Sequence, residues 1–246
     1  MRRLVLSAAA ALLAATTAFA PAAAADASKA SDGIRVPPST TLRYEMERGL
    51  LRGTGDLSWQ NQGDHYELRF EGRVAGLNAI TQVSTGALDA GGVAPQRFTD
   101  KRLGRSGSAA EFRRDADHVT VTGLTNPLEA QPSVQDRLSW MVQLGALVAA
   151  DPQRARPGAK VAMQVVGTRA DASLWAFRCV GPEAVPTAAG RVDAIKYVRE
   201  PRDPGDTSVQ VWLDPRRHHL PVRAVQQSGP DDEPFDLRLK TAVPAN

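Results

Sequence analysis

The sequence has very little of what marks the commonest metal, redox and nucleotide sites. It contains one cysteine, Cys179, so no internal disulfide can form. No cysteine follows the N-terminal apolar run, so no lipid anchor is expected there. The sequence also has no H-E-x-x-H motif, no paired C-x-x-C motif and no glycine-rich phosphate loop that leads into a helix. We therefore predict no cofactor and no metal.

Long apolar segments are scarce as well. The N-terminal run Leu4–Ala15, which follows Arg2 and Arg3, is too short to span a membrane, and it is followed by an A-x-A cleavage pattern that ends at Ala25. We predict that residues 1–25 are a signal peptide and that the mature protein is soluble in the periplasm, with no transmembrane segment. Residues 26–40 are rich in alanine, serine, glycine and proline, and we predict that they form a flexible tether.

Neither sign of charge is in large excess. The chain has 30 lysines and arginines against 27 aspartates and glutamates, a net charge of +3 that becomes +1 when Arg2 and Arg3 leave with the signal peptide. Nucleic-acid-binding domains carry a strong positive balance. We therefore predict that nucleic acid is not a partner.

What the sequence has in abundance is short alternating segments. In the segments 42–47, 66–71 and 235–240, apolar residues alternate with charged ones, and turn-rich sequence separates about a dozen such segments. One apolar and one polar face per strand is typical of an antiparallel sheet with one side in water. We predict a single mainly β domain over residues 41–246, folded as a highly curved antiparallel sheet or half-open β-barrel.

One segment, Ser133 to Asp151, has the periodicity of a long helix. More than half of its circumference is apolar, so we predict that this helix packs in the concave face of the sheet as a plug. Ser133 and Asp136 have the spacing of a capping box at its start, and Pro152 is expected to end it.

Three polar residues stand out on this apolar helix: Asp136, Ser139 and Gln143. They could point to solvent, satisfy backbone groups of the sheet, or line a pocket for a ligand. They are the only residues for which we predict binding.

Other candidate residues have simpler interpretations. His218 and His219 are adjacent, so on a strand they would face opposite ways and could not hold one metal; the sequence around them predicts a hairpin turn. Trp212 lies on a polar strand face, where it could form a recognition surface or cover the rim of a barrel, and we favour the second.

Five segments together resemble a known family. They are VQDRLSWMVQL at 134–144, Ser84–Gly86, Gly92–Phe98, Trp212–Asp214 and His219–Arg223. They resemble family 3108 of the domains of unknown function, which are exported proteins of Gram-negative bacteria.

The resemblance extends over most of the chain, from Thr41 to Thr241. It implies an architecture like that of the lipoprotein carriers, a curved antiparallel sheet that embraces helices, although this chain offers one convincing helix. It implies no settled activity.

Three functions follow as hypotheses. The first is binding of an apolar ligand, a lipid or a lipoprotein segment in the curved sheet. The second is an envelope assembly or interaction protein without a small ligand, whose partner is an envelope protein. The third is a hydrolase of envelope polymers that uses carboxylates from separate strands, such as Asp100 or Asp136. We rank binding first and do not predict an enzyme.

Overall fold

The computed structural model describes residues 34–131, 133–203 and 205–244, without the side chain of Pro244. The predicted signal peptide and residues 26–33 of the predicted tether lie outside these ranges. No helix within them is long and apolar enough to cross a membrane.

The described residues form fifteen strands and one α-helix. The first half of the chain contributes β1 Thr40–Arg48, β2 Leu51–Asn61, β3 His65–Val74, β4 Leu77–Asp89, β5 Gly92–Arg102, β6 Ser108–Arg114, β7 His118–Val121, β8 Leu128–Glu129 and β9 Val134–Asp136. The helix α1, Trp140–Ala150, follows. The second half contributes β10 Lys160–Val166, β11 Ala172–Thr187, β12 Gly190–Arg199, β13 Ser208–Asp214, β14 Leu220–Gln227 and β15 Phe235–Pro244.

The strands arise from the alternation seen in the sequence. In β1, Leu42, Tyr44 and Met46 are buried, whereas Arg43 and Glu45 between them are exposed. Successive side chains of a strand point to opposite faces, so this alternation places one face in the core and the other in water. The prediction of a mainly β, highly curved antiparallel sheet is confirmed.

All fifteen strands belong to one sheet that nearly closes into a barrel. Its order is β8-β7-β6-β5-β4-β3-β2-β1-β15-β14-β13-β12-β11-β10-β9, so its two terminal strands, β8 and β9, are neighbours in sequence. Contacts join the two sides of this seam: Arg114 Nη2 donates to the carbonyl oxygen of Val134 at 2.6 Å, and the hydroxyls of Ser108 and Thr168 lie 2.7 Å apart. The chain therefore brings both ends of its sheet together.

The helix α1 is buried along nearly its whole length, from Trp140 to Val148. The ring of Trp140 stacks on that of Phe177 at a centroid distance of 5.2 Å. Gly145 lets the helix approach the turn after β13, because a Cβ at this position would lie 2.4 Å from the carbonyl oxygen of His219. One helix packed in the curved sheet, as predicted, fills this part of the interior.

The predicted start of the helix is wrong. Residues 134–136 form β9, which pairs in parallel with residues 164–166 of β10, and the helix begins only at Trp140. The hydroxyl of Ser133 has no hydrogen-bond partner among the described residues, so it caps nothing there. Pairing with the edge of β10 satisfies the backbone N–H and C=O groups of residues 134–136. This pairing outweighs the local helical pattern. The predicted end is confirmed, since Asp151 is extended and Pro152 opens a 3-10 turn.

Candidate functional site

Asp136 and Ser139 bind each other across the turn that leads into α1. One carboxylate oxygen of Asp136 accepts from the backbone N–H groups of Leu138 and Ser139, both at 2.8 Å. The hydroxyl of Ser139 in turn accepts from the backbone N–H of Asp136 at 2.9 Å. This reciprocal pattern resembles a capping box, but it closes the turn 136–139 that precedes α1, and Ser139, the N-cap of α1, makes no side-chain capping bond to the helix.

The second carboxylate oxygen of Asp136 ties this turn to the sheet. It accepts from the Ser84 hydroxyl of β4 at 2.5 Å, and Ser84 lies 2.7 Å from the Tyr66 hydroxyl of β3. All three residues are buried. Burial raises the pKa of the Asp136 carboxyl above its ordinary value, and the hydrogen bonds from Ser84, Ser139 and Leu138 oppose that rise. Burial, together with the nearby Asp136 charge, also holds the pKa of Tyr66 well above its usual range.

Gln143 binds the turn between β4 and β5. Its side-chain oxygen accepts from the backbone N–H of Val93 at 2.8 Å, and its side-chain nitrogen donates to the carbonyl of Gly91 at 2.7 Å. Gln135 reaches the same turn and donates to the carbonyl of Val93 at 2.7 Å. Two amide side chains thus satisfy the buried backbone N–H and carbonyl groups of Val93, which would otherwise lack partners.

The three residues predicted for binding therefore have their polar groups engaged inside the fold. Asp136, Ser139 and Gln143 are fully buried. Their contacts match the alternative in which they satisfy backbone groups of the sheet, with Asp136 also holding the start of the helix. Binding of a ligand by these residues stays a prediction.

The remaining candidates are placed as follows. His218 and His219 form a turn with positive φ values of 52° and 57°, so the predicted hairpin turn is confirmed. Trp212 is buried, and Lys196 Nζ and Arg223 Cζ lie 4.7 Å and 4.9 Å from the centroid of its ring. Two neighbouring strands thus cover this ring with cationic side chains.

The carboxylates considered for hydrolysis do not share a contact. Asp100 accepts from Arg102 at 3.1 Å, whereas Asp136 accepts from Ser84 and from backbone N–H groups. Within the described ranges, no group of three or more histidine, cysteine, aspartate or glutamate residues is placed to hold a metal ion.

The sequence did not predict a hollow of about 700 Å³ at the seam of the sheet. Leu128 of β8 lies on one side, and Gln164 of β10 and Leu174 of β11 lie on another. The loop between β12 and β13 completes the lining with Arg202, Asp203 and Asp206. These residues come from distant parts of the sequence, and only the closure of the sheet brings them together.

A buried arginine anchors the loop that lines this hollow. Arg199 is 1% exposed, and its guanidinium carbon lies 4.7 Å from the centroid of the Trp175 ring. It donates to Asp206 at 2.5 Å. Burial alone would raise the pKa of Asp206, but hydrogen bonds from Arg199 and from the backbone N–H groups of Arg202 and Thr207 outweigh it, and the pKa is lowered. The loop is therefore held at the hollow by a charged, hydrogen-bonded anchor.

A strand edge lies beside the hollow. β9 pairs with β10 only at residues 164–166, and in the described part of the chain no strand pairs with residues 160–163 on that edge. Exposed strand edges present unpaired N–H and C=O groups. Gln164 lines the hollow, and the residues 160–163 that precede it in β10 form the part of this edge that β9 leaves unpaired.

Comparisons with known proteins agree with this fold. The family described as "Protein of unknown function (DUF3108)" matches residues 41–232. A crystal structure of a β-barrel-like protein of domain of unknown function DUF1849 from Brucella abortus has a TM-score of 0.59 and 10% identity, and the alignment covers 86% of this chain and 100% of that one. This similarity supports the barrel fold alone.

Two further structures are less similar. MucB aligns with a TM-score of 0.34 and 13% identity over 88% of this chain and 56% of MucB. The complex of MucA and MucB from Pseudomonas aeruginosa aligns with a TM-score of 0.37 and 15% identity over 85% of this chain and 53% of that chain. This chain thus spans about half of MucB, and TM-scores this low do not establish a shared fold. No curated protein matches the sequence.

Proposed function

Because the chain belongs to the DUF3108 family, whose description gives no activity, we propose a function from its own geometry: an exported envelope protein that binds an extended segment of another protein at the seam of its sheet. The observation that carries this proposal is the hollow of about 700 Å³, which is lined by Gln164, the residue at which the unpaired edge of β10 ends. Export is inferred from the N-terminal pattern of residues 1–25.

The backbone of β10 supplies the first half of the proposed site. The N–H of Gln164 points to the seam, where it donates to the carbonyl of Ser133 at 2.9 Å. Backbone groups alternate in direction along a strand, so the N–H and C=O groups of Ala162 and Lys160 point to the same edge. An extended peptide can pair with such an edge and add one strand to the sheet.

The side chains around the hollow supply the second half. Leu128 and Leu174 offer apolar contacts, whereas Arg202, Asp203 and Asp206 offer charge. A peptide carries both apolar side chains and polar backbone groups and can satisfy both kinds of lining. A wholly apolar ligand would desolvate the charged groups without replacing their hydrogen bonds.

The concave face gives less support to binding of an apolar ligand there. The side chains of α1 from Trp140 to Val148 are buried against the sheet, and the polar groups of Asp136 and Gln143 are already bonded. The geometry therefore favours the interaction hypothesis over the hypothesis of an apolar carrier.

Peptide binding by the mature chain tests this proposal. Extended peptides are selected from a random display library, and the affinity of the best one is measured by fluorescence anisotropy. We expect Leu174→Glu to weaken binding by about tenfold or more, since that loss corresponds to about 1.4 kcal/mol. Ala162→Pro removes an N–H that an added strand needs and is expected to weaken binding as well.

Val180→Glu is the matched control. Val180 is 43% exposed and lies on the same strand as Leu174, outside the lining of the hollow. It should leave the affinity unchanged. Failure to select any peptide, or equal affinities for Leu174→Glu and Val180→Glu, would contradict the proposal. Retention of lipid by the purified protein, detected by native mass spectrometry, would favour the apolar carrier instead.

A further inference from the structure

Three neighbouring hairpins carry leucines at their tips. Leu50 lies in the turn between β1 and β2, and Leu103 in the turn between β5 and β6. Leu51 and Leu77 are the first residues of β2 and β4, directly after their turns. The exposed fractions of Leu50, Leu51, Leu77 and Leu103 are 99%, 59%, 61% and 63%, respectively. Large exposed aliphatic residues at turns are unexpected, because turns favour glycine, proline, asparagine, aspartate and serine.

The three turns lie at the same end of the barrel. β1 to β6 are consecutive antiparallel neighbours, so their odd-to-even connections all lie at one edge of the sheet. Strands in a sheet are about 4.8 Å apart, so adjacent tips are separated by about 10 Å and the set spans about 20 Å. The leucines therefore form one group, which we call the leucine rim: Leu50, Leu51, Leu77 and Leu103.

The turn chemistry explains the glycines of these hairpins but not the leucines. Gly49, Gly76 and Gly104 have φ values of 56°, 80° and 72°, which glycine adopts without strain. The leucine beside each glycine makes no contribution to that backbone geometry. A residue that breaks a local rule without a folding reason indicates a function.

Positive charge surrounds the leucine rim. The segments 47–52, 73–78 and 100–105 contain six arginines and lysines but two acidic residues. Arg52 pairs with Glu47 and Arg102 with Asp100, and Arg73 pairs with Asp56 and Glu71, which lie outside these segments. Arg48, Lys101 and Arg105 also lie on the rim and are exposed. Within the described ranges, no ion pair engages these three cations.

Negative charge lies at the same end, on two other loops. The loop between β14 and β15 carries Asp231, Asp232 and Glu233, and the loop between β12 and β13 carries Asp203 and Asp206. The β14–β15 loop is adjacent to the β1–β2 hairpin, because β15 pairs with β1, and a Cβ on Gly49 would lie 3.3 Å from the Glu233 side chain. Of the three cations without an ion pair, Lys101 and Arg105 on the β5–β6 hairpin lie farthest from this acidic loop in the strand order.

We propose that the leucine rim docks the protein on the surface of an anionic phospholipid bilayer. Arginines and lysines that flank protruding apolar residues suit such a surface, since the cations meet lipid phosphates while the apolar side chains enter the boundary with the acyl chains. A protein partner would need pockets that match leucines on separate tips, whereas a fluid bilayer accepts them at any spacing.

Flotation with vesicles tests this proposal independently of peptide binding. The mature chain is mixed with vesicles of phosphatidylcholine alone or with about 30% phosphatidylglycerol, at low and at high salt. We expect binding to the anionic vesicles that weakens as salt rises. Replacing Arg48, Lys101 and Arg105 by glutamine should lower the partition coefficient by about fivefold for each charge removed.

The apolar contribution is tested by the triple variant Leu50→Ser, Leu77→Ser, Leu103→Ser. We expect its partition coefficient to fall by more than about tenfold. The matched control is Val180→Ser with Val243→Ser, which removes two exposed aliphatic residues outside the rim and should bind as the original chain does.

A fluorophore gives a direct reading of insertion. The fluorescence of an environment-sensitive dye on Leu50→Cys should shift to shorter wavelength when anionic vesicles are added, and that of the dye on Val243→Cys should not. Cys179 is buried and should stay unlabelled.

Absence of binding to anionic vesicles at low salt, or equal binding by the triple variant and its control, would overturn the proposal. Concentration-dependent self-association that only the triple variant loses would overturn it too, because the rim would then be a contact between two copies of the chain.

Discussion

The buried carboxyl of Asp136 makes the stability of this fold depend on pH in a defined direction. Asp136→Asn keeps an oxygen that can accept from the backbone N–H groups of Leu138 and Ser139. It replaces the oxygen that accepts from Ser84 with an amide nitrogen. The amide nitrogen can only donate, so the Ser84 hydroxyl must accept from it instead of donating, and we expect this change to cost about 1 kcal/mol at a pH where the carboxyl is protonated.

The pH dependence of this cost follows from the raised pKa. In the unfolded chain the carboxyl titrates near 3.8, and in the folded protein it titrates higher. The folded state therefore binds more protons between the two values, so stability is greatest below the unfolded pKa and falls as pH rises through the folded pKa. Each unit of pKa difference removes about 1.4 kcal/mol. The asparagine side chain of the variant does not titrate, so the variant lacks this fall.

Urea unfolding between about pH 4 and pH 8, followed by tryptophan fluorescence, measures the effect. The free-energy cost of Asp136→Asn should shrink or change sign as pH rises. Ser84→Ala gives the opposite test: it removes a hydrogen bond that lowers the pKa of Asp136, so its stability should fall more steeply toward neutral pH. Parallel curves for the original chain and Asp136→Asn across this range would refute the reasoning.

Three further predictions concern the helix and export. Leu144→Ala should lower the free energy of unfolding by about 2–5 kcal/mol, because this side chain is fully buried, whereas Leu103→Ala at an exposed turn should change it little in the same urea titration. Gly145→Ala should destabilise by about 1–3 kcal/mol despite the better helix propensity of alanine, because its Cβ would meet the carbonyl of His219; a stabilised variant would contradict that close approach. The full-length chain should lose residues 1–25 on export, and N-terminal sequencing or mass spectrometry of the periplasmic product should place its first residue at Asp26; an uncut or acylated product would contradict the signal peptide.

The sequence predicted the fold class because its strands repeat a simple pattern. The alternation in segments such as 42–47 places one face in the core whatever the order of the strands, so a curved antiparallel sheet with one helix could be predicted. The residues 134–136 could not be assigned correctly, because their state depends on an edge of β10 that lies 30 residues later in the chain. Tertiary pairing decided between two states that the local pattern did not separate.

The residues of the candidate site could be selected from the sequence, but their contacts could not be predicted from it. The polar residues on the helix were identified from their contrast with apolar neighbours, but their partners Ser84 and Val93 come from strands far away in sequence. The hollow at the seam gave no local signal, since Leu128, Leu174 and Arg202 become neighbours only when the sheet closes. The leucines of the rim were visible in the sequence, but their common location became clear only from the order of the hairpins.

The central claim, that the seam of the sheet binds a segment of another protein, is tested most directly by site-specific photo-cross-linking in the native cells. A photoreactive residue is placed at Leu174, inside the hollow, or at Val180 on the same strand outside it, and adducts are identified by mass spectrometry. We predict that the photoreactive residue at Leu174 forms one defined protein adduct, which the selected peptide competes away and which the residue at Val180 does not form. The absence of an adduct at Leu174, or the same adducts at both positions, would contradict it.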